Sequence, residues 1–119
     1  MKKILIVDDE RDFVFLMQDF LKAHGFETLT AFEGVRGIEA AHKGRPDLIL
    51  LDLKMPAGDG QTVLNALKSL PDTRTIPVIV ITALGEKGLK EKILGQGAQG
   101  FVEKPFEMQS LLALIQRWI

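Results

Sequence analysis

Short runs of apolar residues recur along the chain, and each is followed by polar residues and then by a pattern of helical period. Four short continuous runs stand out, at residues 4–7, 48–51, 78–81 and 101–102. Runs of this kind are typical of strands buried on both faces of a parallel sheet. A fifth segment, residues 26–30, mixes apolar with polar side chains, which predicts a strand at the edge of the sheet.

Helical spacing of apolar residues predicts a helix after each strand. Gly25 stands where a left-handed residue commonly ends a helix, so the first helix lies before it. Its apolar stripe is predicted at Phe13, Leu16, Met17, Phe20 and Leu21. The other four helices are predicted at about residues 34–43, 61–70, 86–94 and 107–118.

Strands that alternate with helices, joined by right-handed crossovers, form a parallel sheet with helices on both faces. The sequence therefore predicts an α/β fold, a (βα)5 doubly wound five-stranded parallel sheet, in a single domain over residues 1–119. Ligands of such sheets bind beyond the carboxyl ends of the strands, so we expect the chemistry of this protein there.

Composition narrows the class of protein. The chain has 15 basic and 16 acidic residues, and its formal net charge of -1 gives no long-range attraction for nucleic acid, so direct binding of nucleic acid is not expected. No apolar run approaches the ~20 residues of a membrane span. Cysteine is absent, which excludes disulfides and thiolate metal sites and favours the reducing cytoplasm.

Polar side chains stand at the predicted carboxyl ends of four strands: Asp8 and Asp9, Asp52, Thr82 and Lys104. A single Asp at a strand end is usually a cap or turn residue. Three carboxylates at one edge of a sheet, however, repel one another and raise each other's pKa, so together they predict a bound cation. All-oxygen ligation suits Mg²⁺ or Mn²⁺.

Four segments carry a more specific signal: ILIVDDE at residues 4–10, LLDLKMP at 50–56 with Gly60, ITA at 81–83, and FVEKPF at 101–106. Together, in this order and at these strand ends, they resemble the receiver domain of two-component response regulators. The resemblance covers residues 2–119 and implies a flavodoxin-like, three-layer α/β/α fold.

The resemblance also implies a function. Asp52 would accept a phosphoryl group from a histidine kinase or phosphotransfer protein, and the domain would then signal to an output domain or downstream protein. Mg²⁺ would be held by Asp52, by Asp9, by Asp8 largely through water, and by the backbone carbonyl of Lys54.

Further residues take implied roles around the phosphoryl group. Lys104 and the Thr82 hydroxyl would bind its oxygens, and Thr82 would act with Phe101 as a switch pair. A cis peptide bond is implied before Pro105. Ala83 either leaves space beside the site or simply begins a helix.

The loop before the third helix is predicted to be rich in turns, at Met55-Pro56 and Gly58-Asp59-Gly60. Gly60 is expected to supply backbone freedom there.

Three classes of protein use residues of these types. A signalling domain catalyses its own phosphorylation and turns over no external substrate. A phosphatase of the haloacid dehalogenase type needs a DxD motif after the first strand, which Asp8-Asp9 does not provide. A receiver-like interaction module without phosphorylation is disfavoured because all the site residues are present.

Three more predictions follow the helical pattern. Phe15 lies opposite the apolar stripe of the first helix, with Val14 on its flank, and is predicted to form a kinase-docking surface. Glycines at 85–100, with Gly88 and Gly95 inside the fourth helix, predict that this helix is weak. Trp118 is expected to pack the last helix.

Overall fold

The computed structural model describes residues 1–55 and 60–119, which form five strands and five helices in strict alternation. In chain order they are β1 Lys3–Val7, α1 Arg11–Ala23, β2 Glu27–Ala31, α2 Gly34–Gly44, β3 Leu48–Leu51, α3 Gly60–Ser69, β4 Val78–Thr82, α4 Leu89–Gly95, β5 Gly100–Glu103 and α5 Met108–Trp118. None of these helices is long and apolar enough to cross a membrane.

The five strands pair in parallel in the order β2-β1-β3-β4-β5, which is the flavodoxin-like order. Every residue of β3 is buried, as expected for the central strand. The predicted edge position of β2 is confirmed.

Two apolar clusters cover the two faces of the sheet and confirm the three-layer α/β/α architecture. One joins Leu5, Ile49 and Val80 to side chains of α2, α3 and α4. The other joins the intervening residues of the same strands, such as Ile4, Leu50 and Ile79, to side chains of α1 and α5. Alternation along each strand thus directs successive side chains to opposite helical layers.

The prediction that β5 is a buried strand is wrong. It forms the second edge of the sheet, beside β4 only, and Phe101 and Val102 are half-buried. An edge strand has one neighbour, so its side chains keep more contact with solvent.

The predicted stripe of α1 is partly wrong. Leu16 is 58% exposed, whereas Val14 is fully buried together with Met17 and Leu21. Positions i, i+3 and i+7 share one face at 3.6 residues per turn, and Val14 begins that series. Phe15 is 50% exposed, as predicted, and its ring meets that of Phe32 edge-on, 6.2 Å away.

The fourth helix is shorter than predicted. Gly88 adopts a left-handed φ of 80° and caps the amino end of α4, and Gly95 is its last residue. Neither glycine is interior, so the argument for weakness from interior glycines is wrong. Trp118 is 43% exposed at the end of α5, so it packs that helix only in part.

Candidate functional site

The carboxyl ends of the central strands border a cavity of about 450 Å³ lined by Asp9, Glu10, Asp52, Lys54, Met55 and Ala83. The strands β1, β3 and β4 are neighbours in the sheet, so the residues that follow them meet at one place. The cavity therefore lies where the sequence predicted chemistry.

Asp52 directly follows β3 and is held there by backbone hydrogen bonds. Its backbone N–H donates to the carbonyl of Val7 at 3.0 Å, which continues the β1–β3 pairing by one residue. The carboxylate is only 4% exposed. Its Oδ1 accepts the N–H of Lys54 at 3.1 Å, and its Oδ2 lies 3.7 Å from Nζ of Lys104. One oxygen is thus tied to the loop and the other faces the ammonium group.

Asp8 follows β1 and is 2% exposed. Its Oδ1 accepts the N–H of Glu10 at 2.9 Å, and its Oδ2 accepts from Nζ of Lys104 at 2.9 Å. Burial is the main reason that the pKa of Asp8 lies above its ordinary value; these two hydrogen bonds oppose the rise, and the charge of Asp52 adds to it.

Lys104 follows β5 and joins the carboxylates of three residues. Its Nζ lies 2.9 Å from Asp8, 3.1 Å from Glu10 and 3.7 Å from Asp52. Burial alone lowers the pKa of Lys104, but these carboxylates outweigh it and the pKa lies above the ordinary lysine value. Its backbone N–H donates to the carbonyl of Thr82 at 2.9 Å, and the peptide bond to Pro105 is cis, as predicted.

Carboxylate oxygens of Asp8, Glu10 and Asp52 lie within 4.8 Å of one another, a spacing that suits a shared cation. Glu10 had no predicted role, although it directly follows Asp8-Asp9. Glu10 occupies the N-cap position of α1, yet its side chain makes no capping hydrogen bond and turns to Lys104 instead. Asp9 is half-buried and lines the cavity outside this group of three.

Thr82 is fully buried at the end of β4, and its Oγ1 accepts the N–H of Leu84 at 3.2 Å. Ala83 is exposed and lines the cavity, and α4 begins only at Leu89, so Ala83 does not begin a helix. Phe101 pairs in register with Val80, two residues before Thr82. Phe101 and Thr82 therefore lie on the same face of the sheet.

Gly60 is required for a reason other than the predicted one. Its φ lies outside the left-handed region, so backbone freedom is not what the position needs. A Cβ there would instead lie 2.3 Å from Cα of Leu53 and 2.6 Å from the carbonyl oxygen of Asp52. The rest of the predicted turn, at residues 56–59, lies outside the described residues.

Comparison with known proteins agrees with this geometry. The family model "response regulator receiver domain" matches residues 4–116. The chain is 33% identical over 118 residues to the polar-differentiation response regulator DivK of Brucella anthropi, an alignment that covers 99% of this chain and 96% of DivK.

Solved structures give the same picture. The chemotaxis protein CheY4 of Vibrio cholerae superposes with a TM-score of 0.92 at 29% identity, covering 100% of this chain and 99% of CheY4. The receiver domain of the sensor histidine kinase PA1611 of Pseudomonas aeruginosa has a TM-score of 0.89 at 27% identity, covering 98% of this chain and 96% of its own. That structure holds a magnesium ion coordinated in its active-site cleft.

Proposed function

The chain belongs to the response regulator receiver domain family, so it is a receiver domain of two-component systems, and we propose that Asp52 is its phosphoacceptor. One observation carries the assignment: the buried carboxylate of Asp52 ends the central strand, faces Lys104 and shares an acidic cluster with Asp8 and Glu10. A carboxylate in such a position is a competent nucleophile for phosphoryl transfer.

In the proposed reaction an oxygen of Asp52 attacks phosphorus and forms an acyl phosphate. The bond from phosphorus to the leaving group breaks, and that group, an imidazole nitrogen of the donor protein or the acetate of acetyl phosphate, keeps the electron pair. Oδ2 is the better placed oxygen, since Oδ1 already accepts the N–H of Lys54. Lys104 binds one phosphoryl oxygen. The Thr82 hydroxyl, which accepts the N–H of Leu84, donates its own hydrogen to another phosphoryl oxygen.

The donor set fits a hard divalent cation, because it consists of carboxylate and carbonyl oxygens. We assign Mg²⁺ to Asp9, Asp52, the backbone carbonyl of Lys54 and, through water, Asp8, with Mn²⁺ as a substitute. The cluster adds Glu10 as a further carboxylate. When bound, the ion supplies positive charge that offsets the repulsion between the carboxylates and the phosphoryl oxygens.

Signalling would follow from the placement of the switch pair. A phosphoryl group on Asp52 would draw the Thr82 hydroxyl toward it, and Phe101 packs on the same face of the sheet one strand away. A shift of Thr82 would therefore change the space available to Phe101. The edge position of β5 makes this change accessible to an output domain or a downstream protein.

We propose a histidine kinase or a phosphotransfer protein as the phosphoryl donor, and no external substrate that is turned over. Intact mass spectrometry after incubation with acetyl phosphate, with Mg²⁺, with Mn²⁺ or with EDTA, tests this function. A gain of one phosphoryl group that requires the cation supports it. If no phosphoryl group is gained with either cation, the proposed function is contradicted, and a receiver-like interaction module without phosphorylation is the remaining alternative. Rapid turnover of an unrelated phosphomonoester, such as p-nitrophenyl phosphate, contradicts it in favour of a phosphatase.

Mg²⁺ is expected to raise the melting temperature of the protein. Binding to the folded state alone adds RT ln(1 + [L]/Kd) to the free energy of unfolding, about 1.4 kcal/mol at ten times Kd. Calorimetry in Mg²⁺, against NaCl of equal ionic strength, measures the shift. Asp9→Ala should remove most of it, because Asp9 lines the cavity.

The matched control for this experiment is Asp19→Ala, which removes an exposed carboxylate of α1 that does not line the cavity. It should leave the Mg²⁺ response unchanged. An equal response of the two variants, or no response of the unmodified protein, would contradict the assigned cation site.

The exposed side chain of Phe15 is expected to contribute to docking of the kinase. Val14, predicted on the flank of this surface, is fully buried, whereas Leu16 is exposed, so the apolar patch on α1 consists of Phe15 and Leu16. Phe15→Ser should slow transfer from the kinase by about fivefold or more, as for truncated interface anchors. Transfer from acetyl phosphate should not change, because that donor needs no docking surface.

Val35→Ser is the control for Phe15→Ser, since Val35 is 64% exposed on α2. Equal effects of the two substitutions on kinase transfer would refute a specific role of Phe15.

A further inference from the structure

The ammonium group of Lys104 has a contact besides its three carboxylate partners. Nζ lies over the aromatic ring of Phe13, 4.1 Å from the ring centroid. This distance is well within the range of a cation–π interaction, in which the negative face of the ring attracts the cation. The proposed mechanism gives Phe13 no role.

The position of Phe13 is fixed from two directions. It lies in the first turns of α1, three residues after Glu10, and is half-buried against the cluster that joins α1 to α5. The ring of Phe106 meets it nearly perpendicularly, at 82° and 6.1 Å between centroids. Phe13 therefore contacts both Lys104 and the residue two positions after it, and links α1 to the segment that carries the lysine.

The three carboxylates and the ring differ in what else they bind. The carboxylates of Asp8, Glu10 and Asp52 form the acidic cluster, and a divalent cation would compete with Lys104 for their oxygens. Hard cations prefer oxygen ligands, so the ring of Phe13 is not drawn away from Lys104 in this manner. Among the described side-chain contacts of Lys104, the one with Phe13 is therefore the contact for which a cation does not compete.

We infer that Phe13 is a positioning residue for Lys104, holding the ammonium group at the cavity through its aromatic face while the carboxylates bind a cation. The inference rests on the proposed function of Asp52. It predicts that the phosphorylation rate depends on the aromatic face at position 13. It also predicts that this dependence requires Lys104.

The rate of phosphorylation by acetyl phosphate at saturating Mg²⁺ tests this. Phe13→Leu keeps an apolar side chain but removes the aromatic face, and should lower the rate about three- to tenfold. Phe13→Tyr keeps the face and should react within about twofold of the unmodified protein. Acetyl phosphate is used because a small donor avoids any effect on a docking surface. Phe13→Met serves as a second non-aromatic variant if the leucine variant does not fold.

Two controls separate positioning from general packing. Phe20→Leu alters another half-buried phenylalanine of α1 that packs against the same cluster, and should leave the rate unchanged. In a Lys104→Met background, Phe13→Leu should have no further effect, since the group that it positions is gone. A further loss in that background would overturn the inference.

A spectroscopic readout is independent of phosphorylation. The ε-methylene protons of Lys104 lie near the ring of Phe13, so their NMR signals should be shifted by the ring current, with and without Mg²⁺, and should lose that shift in Phe13→Leu. If Asp52 is not phosphorylated in the unmodified protein, the proposed function fails and this inference fails with it. If Asp52 is phosphorylated but Phe13→Leu reacts at the unmodified rate, or the lysine shift is absent with Mg²⁺, only the positioning role is overturned.

Discussion

Asp52→Asn is expected to abolish phosphorylation by acetyl phosphate, with no gain of mass in the presence of Mg²⁺. The amide is neutral and a far weaker nucleophile than the carboxylate that it replaces. It also removes one of the three carboxylates that lie within 4.8 Å. The surrounding backbone should be preserved, because the N–H of residue 52 still donates to Val7.

Asp47→Asn is the matched control, since Asp47 stands just before the same strand, at the end of β3 remote from the cavity. Its carboxylate accepts the N–H of Lys3 at 2.8 Å and has no place in the proposed reaction. This variant should take up one phosphoryl group. Full phosphorylation of Asp52→Asn, or loss of phosphorylation in both variants, would contradict the assignment of Asp52.

Gly60→Ala is expected to destabilise the fold by about 3 kcal/mol, the upper part of the range for overpacked sites. The added methyl would lie 2.3 Å from Cα of Leu53 and 2.6 Å from the carbonyl oxygen of Asp52, and backbone atoms cannot rotate away. Helix propensity offsets little of this loss, because Gly60 is the first residue of α3 and the preference for alanine of about 1 kcal/mol applies to helix interiors. Urea unfolding measures it as a lower midpoint at an unchanged slope.

Gly95→Ala is the control for that substitution. Gly95 ends α4, has no left-handed φ, and a Cβ there would meet nothing within 4 Å. We expect this variant to be as stable as the unmodified protein or slightly more stable. Equal stability of Gly60→Ala and the unmodified protein would show that the α3 amino end can move away from β3.

The central strands were predictable from sequence because both of their faces are buried. A strand such as Leu48–Leu51 must be apolar at every position, and few other elements produce so short a continuous run. The edge strand β5 is harder to recognise than β2, because Phe101 and Val102 are as apolar as buried residues, and only the pairing of β5 with β4 alone explains why they are half-buried.

Errors within the helices also have physical causes. In α1 five consecutive apolar residues, 13–17, fit more than one stripe, and only packing against the sheet selects Val14 over Leu16. In α4 the left-handed φ of Gly88 moves the start of the helix to Leu89. A glycine permits such a φ but does not require it, so sequence alone could not fix the boundary.

The residues of the site also differ in how far sequence alone could place them. Asp8, Asp52, Thr82 and Lys104 were predicted because each ends a strand or directly follows one, where position along the chain determines position in the sheet. Glu10 is one step removed: its side chain could have capped α1, and only the placement of the ammonium of Lys104 from the far end of the chain brings it into the acidic cluster.

The order of the strands also bears on how the chain folds. β2, β1 and β3 are contiguous in the sheet and all precede β4 in the chain, so these three strands can pair without it. At that stage Leu48–Leu51 presents an open edge with four apolar side chains. Exposed edges of this kind pair readily with other chains. A chain in which β4 has not yet paired with β3 is therefore exposed to aggregation at that edge, and pairing of residues 78–80 with residues 49–51 removes the hazard.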